Sequence, residues 1–339
     1  MRPIALPPNQ PADRPYRGGA GILALRGIGS TDDHVPEDFV ASTTTVHGSD
    51  TVGLTVLDDG RTLRDAIALD PIGYLGEDHV TRHGVDTGLL VKILSTGERL
   101  FNHFHPGGDF ARAHLDSPRG KTEAWLITDT GGADRGTVWL GFREPVDRRD
   151  IRKWVTEQDT AALLATLNEV TVEAGDWLYV PAGTPHSIGS GITLVELQEP
   201  SDLSIILEYA PFPALDPEAA FLGLDLDTAL DALDLTPLTG TELSALHGHP
   251  ESSPRARLLP GAADRFFHAE LVAPTLPVTL EPGFAVAVVI DGTGSLAWAG
   301  DGGGTMSLSR GDVILVPHSA GSTVVDGPVR VIRCTPAGV

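Results

Sequence analysis

The sequence predicts a mainly-β protein made of two β units joined by a mixed segment, and three observations carry that prediction. With 39 Gly and 26 Pro in 339 residues, turns are frequent and long helices are disfavoured. Short apolar runs bounded by Gly, Pro and Asp recur along the chain, the pattern of sandwich or barrel strands. Finally, Gly175-Asp-Trp-Leu-Tyr-Val-Pro181-Ala-Gly183 is echoed by Gly311-Asp-Val-Ile-Leu-Val-Pro317-His-Ser319 at the same internal spacing, which points to a duplicated turn–strand unit.

In chain order, strands are expected over 88–94, 137–142, 177–180, 192–197 and 203–209, then over 284–290, 313–316 and 329–332. Helical spacing is confined to 109–115, 147–154, 158–167 and 225–233. Residues 1–210 form the expected first β unit with helical insertions. Residues 211–265 form a connecting segment with a short helix, and 266–339 form the second β unit.

Composition narrows the function classes. The 24 Lys plus Arg face 46 Asp plus Glu, a formal charge of −22 that repels polyanions and makes nucleic acid or an anionic membrane a poor partner. The single cysteine, Cys334, excludes an internal disulfide framework and a cysteine-based zinc cluster. No run approaches the roughly 18 apolar residues of a bilayer span, and the first residues lack an apolar signal core. The expectation is a soluble, cytoplasmic protein that handles a small molecule; its oligomeric state is not legible.

Three segments hold the chemistry. In His103-Phe104-His105 the imidazoles stand at i and i+2, so on a strand they face one space. In Gly120-Lys121-Thr122-Glu123 the lysine and the carboxylate likewise share a face. His186 follows a strand end inside the rigid turn Pro181-Ala-Gly-Thr-Pro. Alone, each reads as a polar face or a turn residue. Together, several His and one carboxylate make a ligand set for a divalent ion, with N/O donors suited to Zn, Mn, Fe or Ni. The other nine histidines (His34, His47, His79, His83, His114, His247, His249, His268 and His318) default to surface or loop roles.

These residues resemble a family. Gly175-x5-Pro181-x-Gly183-x2-His186 is similar to a cupin motif, and HFHP, GKTEAW, GDWLYVPAGTPHSIGSGI and ELQEPSD in that order resemble the class I mannose-6-phosphate isomerases. The resemblance runs from about Pro36 into the C-terminal unit and implies a bicupin fold. It also implies one divalent ion, Zn2+ foremost with Mn2+, Fe2+ or Ni2+ as alternatives, held by His103, His105, Glu123 and His186. Lys121 and Glu196 match positions treated as catalytic in the family. The implied activity is interconversion of mannose 6-phosphate and fructose 6-phosphate, or of a related and unphosphorylated sugar, through an enediolate.

Two departures fall at the phosphate end. Phe101 stands where the family usually has a serine, Ile206 stands where it has an arginine, and no Lys or Arg occurs from Val155 to Pro254. The second turn–strand unit puts Ser322 where the first has His186, so a metal-free C-terminal cupin is expected. Two other classes stay open at this point: a cupin metal-dependent oxidoreductase or dioxygenase, and a non-catalytic sugar-binding cupin.

Overall fold

The computed structural model describes residues 1–300 and 302–338. Three antiparallel sheets dominate. The six-stranded sheet runs, in spatial order, His247–Gly248, Trp177–Val180, Glu123–Asp129, Thr193–Gln198, Leu90–Ser95 and Glu37–Val40. The five-stranded sheet runs Ile205–Ile206, His103–Phe104, His186–Ile188, Gly136–Phe142 and Leu167–Val172. A nine-stranded sheet gathers the C-terminal strands around the 14-residue strand Ala285–Trp298.

The first two sheets face each other. Their shared core interleaves Leu94, Trp125, Leu178, Val180 and Leu194 from one with Val138, Leu140, Val170, Ile188 and Ile206 from the other. Side chains alternate along a strand, so the opposite face of the six-stranded sheet carries Val91, Ile93, Ala124, Leu126, Val195 and Leu197. That face is also buried, against Phe267, Leu271, Val286, Val288, Leu315, Ile332 and Cys334 of the C-terminal sheet. The strands Leu90–Ser95 and Thr193–Gln198 are therefore buried on both faces, which is why their sequences read as continuous apolar runs. Burial pushes the Cys334 thiol up and leaves it unreactive.

Each predicted strand has a counterpart, with one correction. Only Ile205–Ile206 of the 203–209 run is strand. The backbone then leaves the ladder, because the amides of Leu207 and Glu208 both donate to the Asn102 carbonyl, at 2.9 and 3.2 Å. The helices Arg148–Glu157, Thr160–Ala165 and Leu226–Ala229 start on Asp147, Asp159 and Asp225, each accepting a first-turn amide as an N-cap. Helices at Ala20–Arg26, Leu63–Leu69, Pro71–Leu75 and Glu77–His83 add to those the sequence predicts, supplying Ile22, Leu63, Ile67 and Leu75 to the core. Within the last of them His79 departs from its expected surface role: it is buried, with Nε2 2.7 Å from the Asp86 carbonyl. The chain's first strand, Ile4–Ala5, pairs with Val313–Val316 near the other end of the sequence. Among the described residues no helix is long and apolar enough to cross a membrane.

Candidate metal centre

Backbone hydrogen bonds tie the three motif segments together. Gly183 donates to the His105 carbonyl at 2.7 Å, Lys121 to the Pro106 carbonyl at 3.0 Å, and Leu100 to the Ile188 carbonyl at 2.8 Å. Gly120 is needed for the second contact: a Cβ there would lie 2.5 Å from the Gly108 nitrogen and 2.7 Å from the Pro106 carbonyl oxygen. The turn after His105 can rest on the GKTE segment only because that position has no side chain.

Register then aims the side chains. His103 pairs directly with His186 across the five-stranded sheet, and Ile206 pairs with His103 on its other side. Directly paired residues share a face, so all three project toward the six-stranded sheet. On that sheet Glu123 pairs with Gln198, and Glu196 pairs with both Trp125 and Lys92. Glu123, Trp125, Glu196, Gln198 and Lys92 thus share one face as well. The structure brings His103, His105, Glu123 and His186 together between the sheets, all buried, with Lys121 and Glu196 on the same side.

The hydrogen bonds define the donor set. Nδ1 of His103, His105 and His186 lies 3.0, 2.8 and 2.8 Å from the carbonyls of Phe101, Leu203 and Thr184. A carbonyl only accepts, so each Nδ1 carries the proton and each Nε2 keeps a lone pair. Burial, followed by the neighbouring imidazoles, holds His103 well below its usual value, and burial with Lys121 lowers His105. Burial also outweighs the attraction of Glu123 at His186 and brings it down to about 3. All three imidazoles are therefore neutral near pH 7. For Glu123 burial pushes the carboxyl up, but the Lys121 ammonium beside it leads the groups that outweigh this and hold it ionised. His186 Nε2 makes no hydrogen bond and lies 3.3 Å from Glu123 Oε1, while His105 Nε2 lies 3.0 Å from Oε2. Lone pairs facing carboxylate oxygens repel unless a cation lies among them. Three neutral imidazoles and one carboxylate are the donors a borderline divalent ion takes, and the bonds at Nδ1 are the outer contacts that fix such ligands.

A second layer of charge surrounds this set. Lys121 Nζ lies 3.2 Å from Glu123 Oε2 and 3.1 Å from His105 Nε2. Lys92, 1% exposed, lies 2.8 Å from Asp202, 3.6 Å from Glu37 and 4.0 Å from Glu196. Arg14 also pairs with Glu37, and the Tyr16 hydroxyl donates to it at 3.1 Å. Burial pushes the Lys92 ammonium down, but Asp202, Glu37 and Glu196 more than reverse this and keep it charged. Glu196 moves the other way: burial, then the charge of Glu123, raises it to about 7. Trp125 donates to Glu123 Oε1 at 2.8 Å and fixes that carboxylate.

Sequence reasoning missed part of this layer. Glu37, Asp202 and Tyr16 carry no local signal, because distant segments deliver them. Lys92 did carry one: a lysine inside an otherwise apolar, doubly buried strand has to be paired. Gln198, buried beside Glu123 with an unpartnered Oε1, was readable only as part of the ELQ match.

Comparison with known proteins is consistent with this geometry. No family model matches the chain. It is 28% identical over 254 residues to the mannose-6-phosphate isomerase of Streptococcus mutans, covering 72% of each chain. It is 26% identical over 239 residues to that of Bacillus subtilis, covering 70% of this chain and 72% of the other. The chain is homologous to the mannose-6-phosphate isomerases. The crystal structure of the Bacillus subtilis isomerase superposes with a TM-score of 0.76 at 20% identity, covering 98% and 99% of the two chains. A variant of the Salmonella typhimurium phosphomannose isomerase gives 0.73 at 14% identity, covering 99% and 100%. Among these isomerases the fold is therefore shared over the whole chain.

Proposed function

We propose that the chain is a metal-dependent aldose–ketose isomerase that moves a proton between C1 and C2 of an open-chain sugar through an enediolate. The observation that carries this reading is the convergence of three unprotonated Nε2 atoms and an ionised carboxylate, all buried between two sheets, in a chain homologous to sugar isomerases. His103, His105, Glu123 and His186 would hold one divalent ion, Zn2+ foremost, with Mn2+, Fe2+ or Ni2+ able to take the same donors. Such an ion supplies Lewis-acid stabilisation of the charge that develops on the sugar oxygens. The same proposal divides the chain into a metal-bearing cupin (1–210), a connection (211–265) and a metal-free cupin (266–339), in the cytoplasm.

The protein's own groups do the rest. Glu196 is the base: burial raises it toward neutrality, so it can both take a proton and return it near pH 7. Lys92, held by Asp202 and Glu37, keeps the Glu196 carboxylate in place without bonding it tightly. Lys121 aims an ammonium at the same space and donates a hydrogen bond to a sugar oxygen as it becomes charged. Trp125, Leu94 and Leu194 exclude water from the path.

The rival of a silent sugar-binding module would be favoured by Lys121 or Glu196 pointing away from the donors; both stand on their side. The rival of an oxidoreductase predicts oxygen uptake with bound iron. The deciding experiment is proton NMR of the metal-loaded protein with free and phosphorylated aldoses in deuterated water. Isomerisation with deuterium entering at C2 is expected, and a protein that leaves every aldose unexchanged would refute the reading.

A further inference from the structure

We propose that the substrate is an unphosphorylated aldose, whose carbons remote from the reacting end lie against an apolar wall beside His103. This inference rests on the isomerase reading and adds what that reading leaves open, the chemistry of the far end of the sugar.

The wall follows from register and ring contacts. Ile206 stands directly across from His103, on the face that bears the histidines. The Phe101 ring meets the His103 ring edge-on at 5.1 Å, and Phe212 and Tyr16 pack on Phe101 at 5.4 and 5.8 Å. These four residues belong to one apolar cluster. The one polar side-chain atom among these four, the Tyr16 hydroxyl, already donates to Glu37. Such a surface suits the C–H face of a sugar and offers a phosphate dianion nothing.

The cations nearby are engaged. Arg14 is held by Glu37 and Asp202, and Lys92 by Asp202, Glu37 and Glu196. Arg99 forms a two-point pair with Glu208 and reaches Ser187, which points away from the face that carries its neighbour His186. Lys121 faces Glu123 and His105, within the donor set itself. Around the donor set, Arg14, Lys92 and Lys121 each already lie within ion-pair distance of Glu37, Glu123, Glu196 or Asp202. To grip a phosphate, Arg14, Lys92, Lys121 or Arg99 would have to give up an existing ion pair to a buried carboxylate. No Lys or Arg between Val155 and Pro254 can replace it locally.

The test compares mannose 6-phosphate with mannose and other free aldoses on the zinc-loaded protein, by kcat/KM and by calorimetric binding. Free aldoses should be isomerised, and mannose 6-phosphate should have a kcat/KM at least tenfold lower and show no tighter binding. Ile206→Arg, which places a cation beside His103, should raise kcat/KM for the phosphate ester at least tenfold. Should that variant not fold, calorimetry of the unaltered protein still decides. A kcat/KM for mannose 6-phosphate near the ~10⁴ M⁻¹s⁻¹ of ordinary efficient enzymes, with free aldoses inert, overturns this inference and leaves the isomerase reading standing. If no aldose of either kind exchanges, the isomerase reading falls and this inference falls with it.

Discussion

The two copies of the turn–strand unit build the same scaffold around opposite interiors. In both, a glycine takes a left-handed conformation (φ 104° at Gly175, 93° at Gly311), and the following aspartate accepts the amide three residues before it at 2.8 Å. In both, a four-residue buried strand then ends at a proline. Beyond that proline the copies diverge. The first passes through Gly183 into a strand that presents His186 to Glu123. The second makes a short 3-10 turn at His318–Ala320 and continues through Ser322 to Thr323, which helps to line a space with Leu296, Leu308, Ile314, Val316, Val325 and Val331. The histidine-bearing interior holds several buried charges, whose desolvation is repaid only while every partner is present. The apolar interior has no such condition and contributes stability by burial alone. Two matching turn–strand units thus lead into a charge-bearing interior in one case and an apolar one in the other.

That division can be broken at either copy. The largest effect is expected at the donor set. His186→Ala or His105→Ala should reduce bound metal, measured by mass spectrometry of the purified protein, to well below one ion per chain and lower turnover by at least about 10³-fold, since donors and carboxylate act as a unit. Removing the ion with a chelator should also lower Tm, because a ligand bound only to the folded state stabilises it. Ser322→Ala, at the matching position of the second copy, should change neither.

Next comes Glu196→Gln, expected to lower kcat by roughly 10²–10⁴ while leaving metal content intact. The same residue sets an acid limb. A base raised to about 7 is protonated, and inactive, below that pH, so kcat/KM should fall tenfold per unit as pH drops below about 7 and level off above it. A profile flat from pH 5 to 8 would show that another group takes the proton.

The second copy should respond in stability alone. Ile314→Ala, at a side chain fully buried in the apolar interior, should cost about 2–5 kcal/mol in denaturant unfolding and leave metal content and kcat unchanged. The smallest effect is expected at the shared turn: Asp312→Ala loses one backbone cap and should cost about 1 kcal/mol, read by the same unfolding curve.

The first copy was more legible in the sequence than the second layer around it. His103, His105, Glu123 and His186 sit in short motifs whose strand parity and turn residues are local properties, so their common face follows from alternation. Apolar runs bounded by Gly, Pro and Asp located most strands, and apolar residues at helical spacing located the helices Gly108–His114, Arg148–Glu157, Thr160–Ala165 and Leu226–Ala229 but not Gly240–Ser244. Residues 203–209 misled because their apolar run continues after the backbone has turned to Asn102, and an apolar run does not record where its amides go. Glu37, Asp202 and Arg14 were invisible for a different reason: each is an ordinary charged loop or edge residue until the fold brings it to Lys92. The helices between residues 20 and 83 are short and weakly periodic, and tertiary packing rather than propensity holds them.

The pairing of Ile4–Ala5 with Ile314 and Leu315 has a consequence for the order of events during synthesis. Ile4 and Ala5 wait for a partner made some three hundred residues after them. Until that strand emerges, the edge at Ile4 stays open, and the shared core between the six-stranded sheet and the C-terminal strands lacks one wall. The histidine-bearing sandwich must therefore hold its shape with an apolar back exposed, or wait. Truncated nascent chains should stay protease-sensitive at Leu126 and Val195 until Pro336 has cleared the exit tunnel, and become resistant in a single late step.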